Sequence, residues 1–263
     1  MSDLVKVTPG DGYRVLALNR PDKLNSFNEA MHAALRAAID AADADASCRA
    51  LVLTGEGRGF CAGQDLGDRS EAMKSGGPIT STLEIHYNPL VRRIRALRMP
   101  VICAVNGIAA GAGANIALGC DIVLAARSAK FLQAFAKIGL IPDAGGTWLL
   151  PRLAGPARAR GMALLAEPIA AEQALAWGMI WQVVDDAALM SEATGLAVRL
   201  ATGPTHAYAT IKRALDKAET NTLDQQLDLE RDLQSALLNQ HDFKEGVAAF
   251  FDKRQPRFKG TPS

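Results

Sequence analysis

At 263 residues, 49% of them apolar, the chain can bury one sizeable core or two small ones, so disorder and a collagen-like structure are both excluded. Lys plus Arg total 29 against 28 for Asp plus Glu, and the formal net charge of +1 supplies no field for a polyanion. Aromatic residues at 5% are also poor material for base stacking, so a nucleic-acid partner is not expected.

In chain order, the N-terminus shows no basic segment followed by an apolar one, and no signal peptide is expected. Tyr13–Leu18 predicts a strand that ends at Asn19-Arg20-Pro21-Asp22. Ser26 or Asn28 can cap a helix in which Met31, Leu35 and Ile39 recur every three or four positions. Residues 49–55 read as a short buried strand closed by glycine, and 70–78, with Gly76-Gly77-Pro78, as a mobile loop. Residues 83–97 predict an amphipathic helix with a basic face at Arg92, Arg93 and Arg95. Residues 99–120 carry no charge, yet Pro100, Asn106, Asn115 and four glycines interrupt them too often for a hydrocarbon span. They predict a buried strand, Val101–Val105, followed by a buried helix, with no membrane association.

Residues 121–125 predict another strand. Beyond about residue 150 strand signals nearly vanish, and helices are expected at Pro156–Leu165, 171–177, 187–200, 205–219 and 222–240. Strands separated by helices of this length imply βαβ units and a parallel sheet with covered faces. No internal repeat is visible. The four cysteines, Cys48, Cys61, Cys103 and Cys120, form no Cys-x-x-Cys pair, which points to reduced thiols and a cytoplasmic setting.

The histidines, His32, His86, His206 and His241, lie far apart and no Cys/His/carboxylate cluster has ligand spacing, so no metal is expected. Neither a Gly-x-Ser-x-Gly elbow nor a Walker-type loop occurs. The run Gly107-Ile108-Ala109-Ala110-Gly111-Ala112-Gly113 follows a strand but misses the Gly-x-Gly-x-x-Gly spacing of a dinucleotide loop. It leaves two readings open: backbone N–H donors that stabilise charge on an oxygen, or small residues that let a helix pack closely. A second small-residue turn is Gly59-Phe60-Cys61-Ala62-Gly63-Gln64-Asp65-Leu66. A third, at residues 139–148, sets Asp143 between a proline and a glycine pair, where it serves chemistry or caps a helix.

Five motifs occur in order: Leu18-Asn19-Arg20-Pro21 with Leu24-Asn25; Phe60-x-Ala62-Gly63-x-Asp65-Leu66; Asn106-Gly107 with Gly111 and Gly113; Gly139-x-x-Pro142-x-x-Gly145-Gly146; and Phe243-x-Glu245-Gly246-x-x-Ala249-Phe250 with Lys253-Arg254. Through them the chain resembles the crotonase superfamily, the enoyl-CoA hydratases and isomerases, over nearly its whole length. The resemblance implies an α/β fold, a spiral of ββα turns over residues 1–200, and a C-terminal helical trimerisation region over 201–263. It implies a homotrimer or hexamer acting on an acyl-CoA thioester, with no cofactor beyond the coenzyme A of the substrate. It also implies an oxyanion hole from the backbone N–H groups of Gln64 and Ala112. The family usually has glycine where Ala112 stands, a change that keeps the amide donor. CoA contacts are implied near Lys23, Leu24, Ala62, Gly63, Asp65 and Leu66.

Hydratases of the superfamily use two glutamates, and here those positions are Asn115 and Phe135, expected to line the pocket. Neither can act as a general base. Asp143 is the acidic group that the motifs leave, which implies movement of a proton between carbons and not addition of water. Residues 134–152, 177–185 and 219–224 resemble the isomerase branch that opens ring epoxides of aromatic acyl-CoA thioesters, with a Δ3-to-Δ2 double-bond shift as a second expected activity. Two alternatives stand beside it. One is an aromatic acyl-CoA dehalogenase or hydrolase in which Asp143 is the nucleophile and His86 activates water. The other is a non-catalytic RNA-binding member using Arg92, Arg93, Arg95 and Arg98.

Overall fold

Two sheets organise the chain in a computed structural model that describes residues 3–67 and 82–261, so the predicted loop at 70–78 lies outside the described residues. The larger sheet holds β1 (Val5–Gly10), β2 (Tyr13–Leu18), β3 (Ala50–Gly55), β5 (Val101–Val105), β7 (Ile122–Ala126) and β10 (Gln182–Val184), side by side in that order. Only β1 and β2 pair antiparallel; every other neighbour pair is parallel. The smaller sheet holds β4 (Gly59–Cys61), β6 (Ile108–Ala110), β8 (Lys130–Leu132) and β9 (Ile169–Ala170). Three times the chain lays a strand in the large sheet, turns, and lays the next in the small one: β3 then β4, β5 then β6, β7 then β8. This structural repeat, with no counterpart in sequence, is the spiral that the motif resemblance implied.

The repeat is invisible in sequence because β4, β6 and β8 have three residues each, too few to show a period-two pattern. The same reason accounts for β9 and β10, which lie in the stretch where strand signals fade. By contrast, β5 is buried throughout and β3 nearly so, which explains their unbroken apolar runs. Helix α1 (Glu29–Ala44) is capped by Asn28, whose Oδ1 accepts from Met31 N at 2.9 Å, and it lays Met31, Leu35, Ile39 and Ala42 inward against β1 and β2. The helix predicted at 83–97 opens with a π-helical segment, Leu83–Tyr87, before α2 (Asn88–Ala96). Helix α3 (Ala112–Leu118) is wholly buried.

Two helices escape sequence reading. Helix α4 (Gly146–Ala154) contains Pro151, and α10 (His241–Phe251) follows a helix break of only two residues. Between them run α5 (Pro156–Leu165), α6 (Ala171–Ala176), α7 (Leu189–Ala201), α8 (Thr205–Ala218) and α9 (Leu223–Leu238). In α7, Leu189, Ala193, Ala197 and Ala201 recur every four residues and pack against β3, β5 and β7. Three alanines in that stripe let the helix sit close to the strands.

Polar contacts fasten α8 to the sheet. Lys212 Nζ donates to the Asp121 carboxylate at 2.7 Å and to Met99 O at 3.1 Å, while Asp121 also accepts from Val101 N at 2.7 Å. Burial pushes the Asp121 carboxyl up, and Lys212 works against that shift. Arg49 donates to Thr205 Oγ1 at 3.0 Å, to Phe258 O at 3.1 Å and to Gly203 O, and so holds the C-terminal segment. Beyond α8 burial is scarce: α9 buries no residue and α10 buries only Ala249. Leu223, Leu227, Phe250 and Phe251 are 74%, 53%, 78% and 76% exposed.

Replacing Lys212 with Met should leave the Asp121 carboxylate, whose side chain is 26% exposed, without its partner. Breaking a fully buried ion pair costs about 3–5 kcal/mol, and partial exposure of this one reduces the expected loss to about 2–3 kcal/mol in urea unfolding. A variant as stable as the parent would show that Lys212 does not anchor α8.

Candidate functional site

Backbone pairing beside Phe27 determines which way one amide points. Phe27 N donates to Gly63 O at 2.7 Å, and Asp65 N donates to Phe27 O at 2.8 Å. In an extended segment successive N–H groups alternate in direction, so the Gln64 N–H faces away from Phe27 and has no acceptor among the described residues. The Ala112 N–H is the first of α3 and likewise has none, because a helix cannot satisfy its own first donors. Gly63 brings the two together. With φ of +87°, a Cβ placed on it would lie 2.9 Å from Ala110 O and 3.4 Å from Ala112 N. Small residues thus close the gap, and the two amides beside it have no acceptor among the described residues.

The Gln64 side chain is fastened as well, with Nε2 donating to Phe27 O at 3.1 Å and Oε1 accepting from Tyr87 Oη at 3.1 Å. Neither Tyr87 nor its role is apparent from the sequence, where it is one aromatic in a helical stretch.

Asp143 stands half-buried, with Oδ1 shielded from solvent. The residue after it, Ala144, has φ of +48° and Gly145 has φ of +85°, two left-handed residues in succession that reverse the chain. For alanine that conformation costs about 1–2 kcal/mol. Gly145 occupies the N-cap position of α4, and no side chain caps it, so the capping reading of Asp143 falls away. Asn115, one turn along α3 from Ala112, donates from Nδ2 to Asp143 O at 2.8 Å. Asn115, which holds the Asp143 turn, thus stands about 4.5 Å along the helix axis from Ala112. The Phe135 ring lies 3.5 Å from where a Gly111 Cβ would be, beside the same helix start. Asn115 is 0% exposed and spends its amide on backbone and on Gln133, so it is an anchor of this turn more than an open pocket wall.

Of the residues implied for coenzyme A, Lys23 and Leu66 are exposed, and Ala62 N donates to Leu24 O at 2.9 Å. Asp65 has a different engagement. Its carboxylate accepts from Arg20 at 2.9 Å and from Gly67 N at 3.0 Å, so it braces the loop. Burial alone would raise its pKa, but Arg20 and the Gly67 amide hold it below the ordinary value. Arg20 also donates to Ser26 O at 2.6 Å, and Asn25 accepts from Arg20 N at 2.8 Å while donating to Glu56 O and Gly59 O, both at 2.9 Å. The Asn-Arg-Pro and Leu-Asn motif is therefore a polar splice between the loop after β2 and the loop that carries Gln64. Burial pushes the Cys61 thiol up to about 12, which keeps it protonated and unreactive.

His86 is held by α1. Its ring stacks on His32 with centroids 4.8 Å apart, and its Nδ1 lies 3.4 Å from the Arg36 guanidinium. His32 stacks in turn on Phe27 at 4.5 Å; burial first, then His86 and Arg36, lower its pKa to about 3 and keep it neutral. The arginine stripe is largely paired within the molecule: Arg93 with Asp40 and Asp43, both at 2.9 Å, Arg95 with Asp216, and Arg98 with Asp45 O at 2.7 Å and Cys48 O at 2.9 Å. Arg92 is exposed. Among the described residues no group of three His, Cys, Asp or Glu could hold a metal ion, and no helix is long and apolar enough to cross a membrane.

The profile of the enoyl-CoA hydratase/isomerase family matches residues 10–261, and the chain belongs to that family of enzymes. It is 59% identical over 250 residues, 95% of both chains, to the 1,2-epoxyphenylacetyl-CoA isomerase of Escherichia coli. It is 49% identical over 250 residues, again 95% of both, to a probable enoyl-CoA hydratase of Rhodobacter capsulatus. Among solved structures, an enoyl-CoA hydratase from Polaromonas sp. JS666 superimposes with a TM-score of 0.90 at 35% identity, covering 97% of this chain and 99% of that one.

Arg20→Met tests the brace beneath the Gln64 loop. A hydrogen bond to a charged group contributes about 1.5–3 kcal/mol, and that is the destabilisation expected at pH 7. Because the folded Asp65 pKa is depressed, its contribution is complete above the unfolded value near 4 and is lost as pH falls through the folded value. The gap between parent and variant in denaturant unfolding should therefore narrow below about pH 4. A gap that stays constant down to pH 2 would remove the ion pair as its cause.

Proposed function

We propose that the chain is an acyl-CoA isomerase that converts ring-1,2-epoxyphenylacetyl-CoA to the oxepin-CoA and also shifts Δ3 double bonds of enoyl-CoA esters to Δ2. The observation that carries this reading is the pair of unpartnered amides, Gln64 N–H and Ala112 N–H, brought together by Gly63 one helical turn from the Asp143 loop. On this reading the thioester oxygen accepts from both amides. Asp143 removes a proton from the carbon beside the thioester, the electrons pass to that oxygen as an enolate, and Asp143 returns the proton at another carbon. Loss of one donor of this kind costs about 3 kcal/mol of transition-state stabilisation. With Asn115 and Phe135 at the two neighbouring positions, no second carboxylate stands ready to activate water, and the enolate collapses by reprotonation or ring opening. Lys23, which is exposed, meets a coenzyme A phosphate as a point charge. Nothing beyond the coenzyme A of the substrate is needed for these steps.

The engagement of His86 with His32 and Arg36 speaks against the nucleophilic dehalogenase alternative, in which that histidine activates water. The internal pairing of Arg93, Arg95 and Arg98 removes most of the charge that an RNA-binding reading would use. A homotrimer or hexamer is supported by the apolar faces of α9 and α10, where a cavity of about 470 Å³ is lined by Leu237, Phe243, Val247, Phe250, Phe251 and Phe258.

Asp143→Asn keeps the size of the side chain and removes the base. Isomerase turnover should fall at least about a hundredfold, with the melting temperature nearly unchanged. Retained activity, or brisk hydration of crotonyl-CoA by the parent enzyme, would overturn the reading. For the assembly, sedimentation at micromolar concentration should give at least three copies, and a compact monomer would refute it.

A further inference from the structure

We propose that Asn115 and Gln133 form a positioning pair that aims the Asp143 carboxylate; this rests on the reading of Asp143 as the base. Both side chains are 0% exposed and come from different elements, Asn115 from α3 and Gln133 from the end of β8. A main-chain carbonyl can only accept, so the Asn115 group facing Asp143 O at 2.8 Å must be its Nδ2. That orientation turns Asn115 Oδ1 towards Gln133, whose Nε2 donates to it at 2.8 Å. The orientation of each amide is thus dictated by the next, and the line ends on the backbone of Asp143.

The carbonyl at that end is held by two donors, Asn115 Nδ2 and Gly146 N, the latter at 2.8 Å. Ala144 and Gly145 beyond it are both left-handed, a conformation that the rest of the loop must enforce. Pinning the Asp143 carbonyl restricts rotation about the Cα–C bond and so helps to hold the direction of the Cα–Cβ bond. Gly146 completes the arrangement, since a Cβ there would lie 2.3 Å from Asn115 Nδ2 and expel the amide from its place. A buried amide pair placed only to fill space would need neither this carbonyl nor a glycine pressed against it. Gln133 Oε1 is buried without a hydrogen-bond partner among the described residues, so Asn115 uses both ends of its amide while Gln133 is held through its Nε2 alone.

The experiment measures kcat and KM with a Δ3-enoyl-CoA ester, together with the folded fraction by circular dichroism, in three variants. Asn115→Asp replaces the donor facing Asp143 O with an acceptor at nearly the same volume. Gln133→Met keeps the length of the side chain and removes the donor that orients Asn115. Asp143→Asn is measured alongside. The expected result is a fall in kcat of at least tenfold for Asn115→Asp and about threefold or more for Gln133→Met, with KM within twofold of the parent. If Asp143→Asn is inactive while Asn115→Asp and Gln133→Met both retain the parent kcat, the positioning role is overturned and the base stands. Activity lost only in proportion to the unfolded fraction in both variants would equally overturn it. A fully active Asp143→Asn would overturn the base and the pair together.

Discussion

Two main-chain amides that are left without acceptors, on Gln64 and Ala112, are the constraint on which the rest of this structure depends. A hydrogen bond forgone contributes nothing to stability, where one made adds about 1 kcal/mol net, so such donors persist only where neighbouring contacts leave the backbone no alternative. Those contacts are visible. The parallel bridge to Phe27 sets the alternation of N–H directions, and Tyr87 fastens the Gln64 side chain. Arg20 and Asn25 splice the preceding loop to Asp65, Glu56 and Gly59. On the opposite side, the start of α3 is held within a wholly buried helix between the sheets. The polar groups of the N-terminal motif thus act on the site through the backbone.

The spiral supplies the second half of that arrangement. Because each turn places one strand in each sheet, the small-sheet strands β4 and β6 lie side by side, and the segments that follow them emerge together. Gln64 follows β4 by three residues and Ala112 follows β6 by two, which is why residues nearly fifty positions apart share one site. The third turn delivers Gln133 and Phe135 directly after β8, beside β6. A repeated path thereby brings three different loops to one end of the small sheet.

Charge and aromatic clusters outside the site serve cohesion. The basic face of α2 is engaged by Asp40 and Asp43 of α1 and by Asp216 of α8, and Arg95 and Arg152 lie over the Trp148 ring at 4.8 and 4.1 Å. His86 and His32 form part of a stack that packs the π-helical segment on α1. Both clusters read as functional options in sequence, since residue type and spacing carry no information about the partner on another element.

The sequence by itself determined the long elements and the motifs. Apolar periodicity marks α1, and continuous apolar runs mark β3, β5 and β7, because burial of a whole face or strand writes a pattern over many residues. The glycine turns at 59–66, 107–113 and 139–148 were legible for the same kind of reason: only small residues permit such close approach. Tertiary structure alone decided the small sheet and the partners of Asp65, Asn115, His86 and the arginines. Strands of three residues leave no periodic trace, and the office of a polar side chain is settled by whichever group from a distant element meets it. Asp65 meets Arg20, Asn115 meets the Asp143 carbonyl and Gln133, and Asp143 itself is left out of the helix cap by a turn of two left-handed residues.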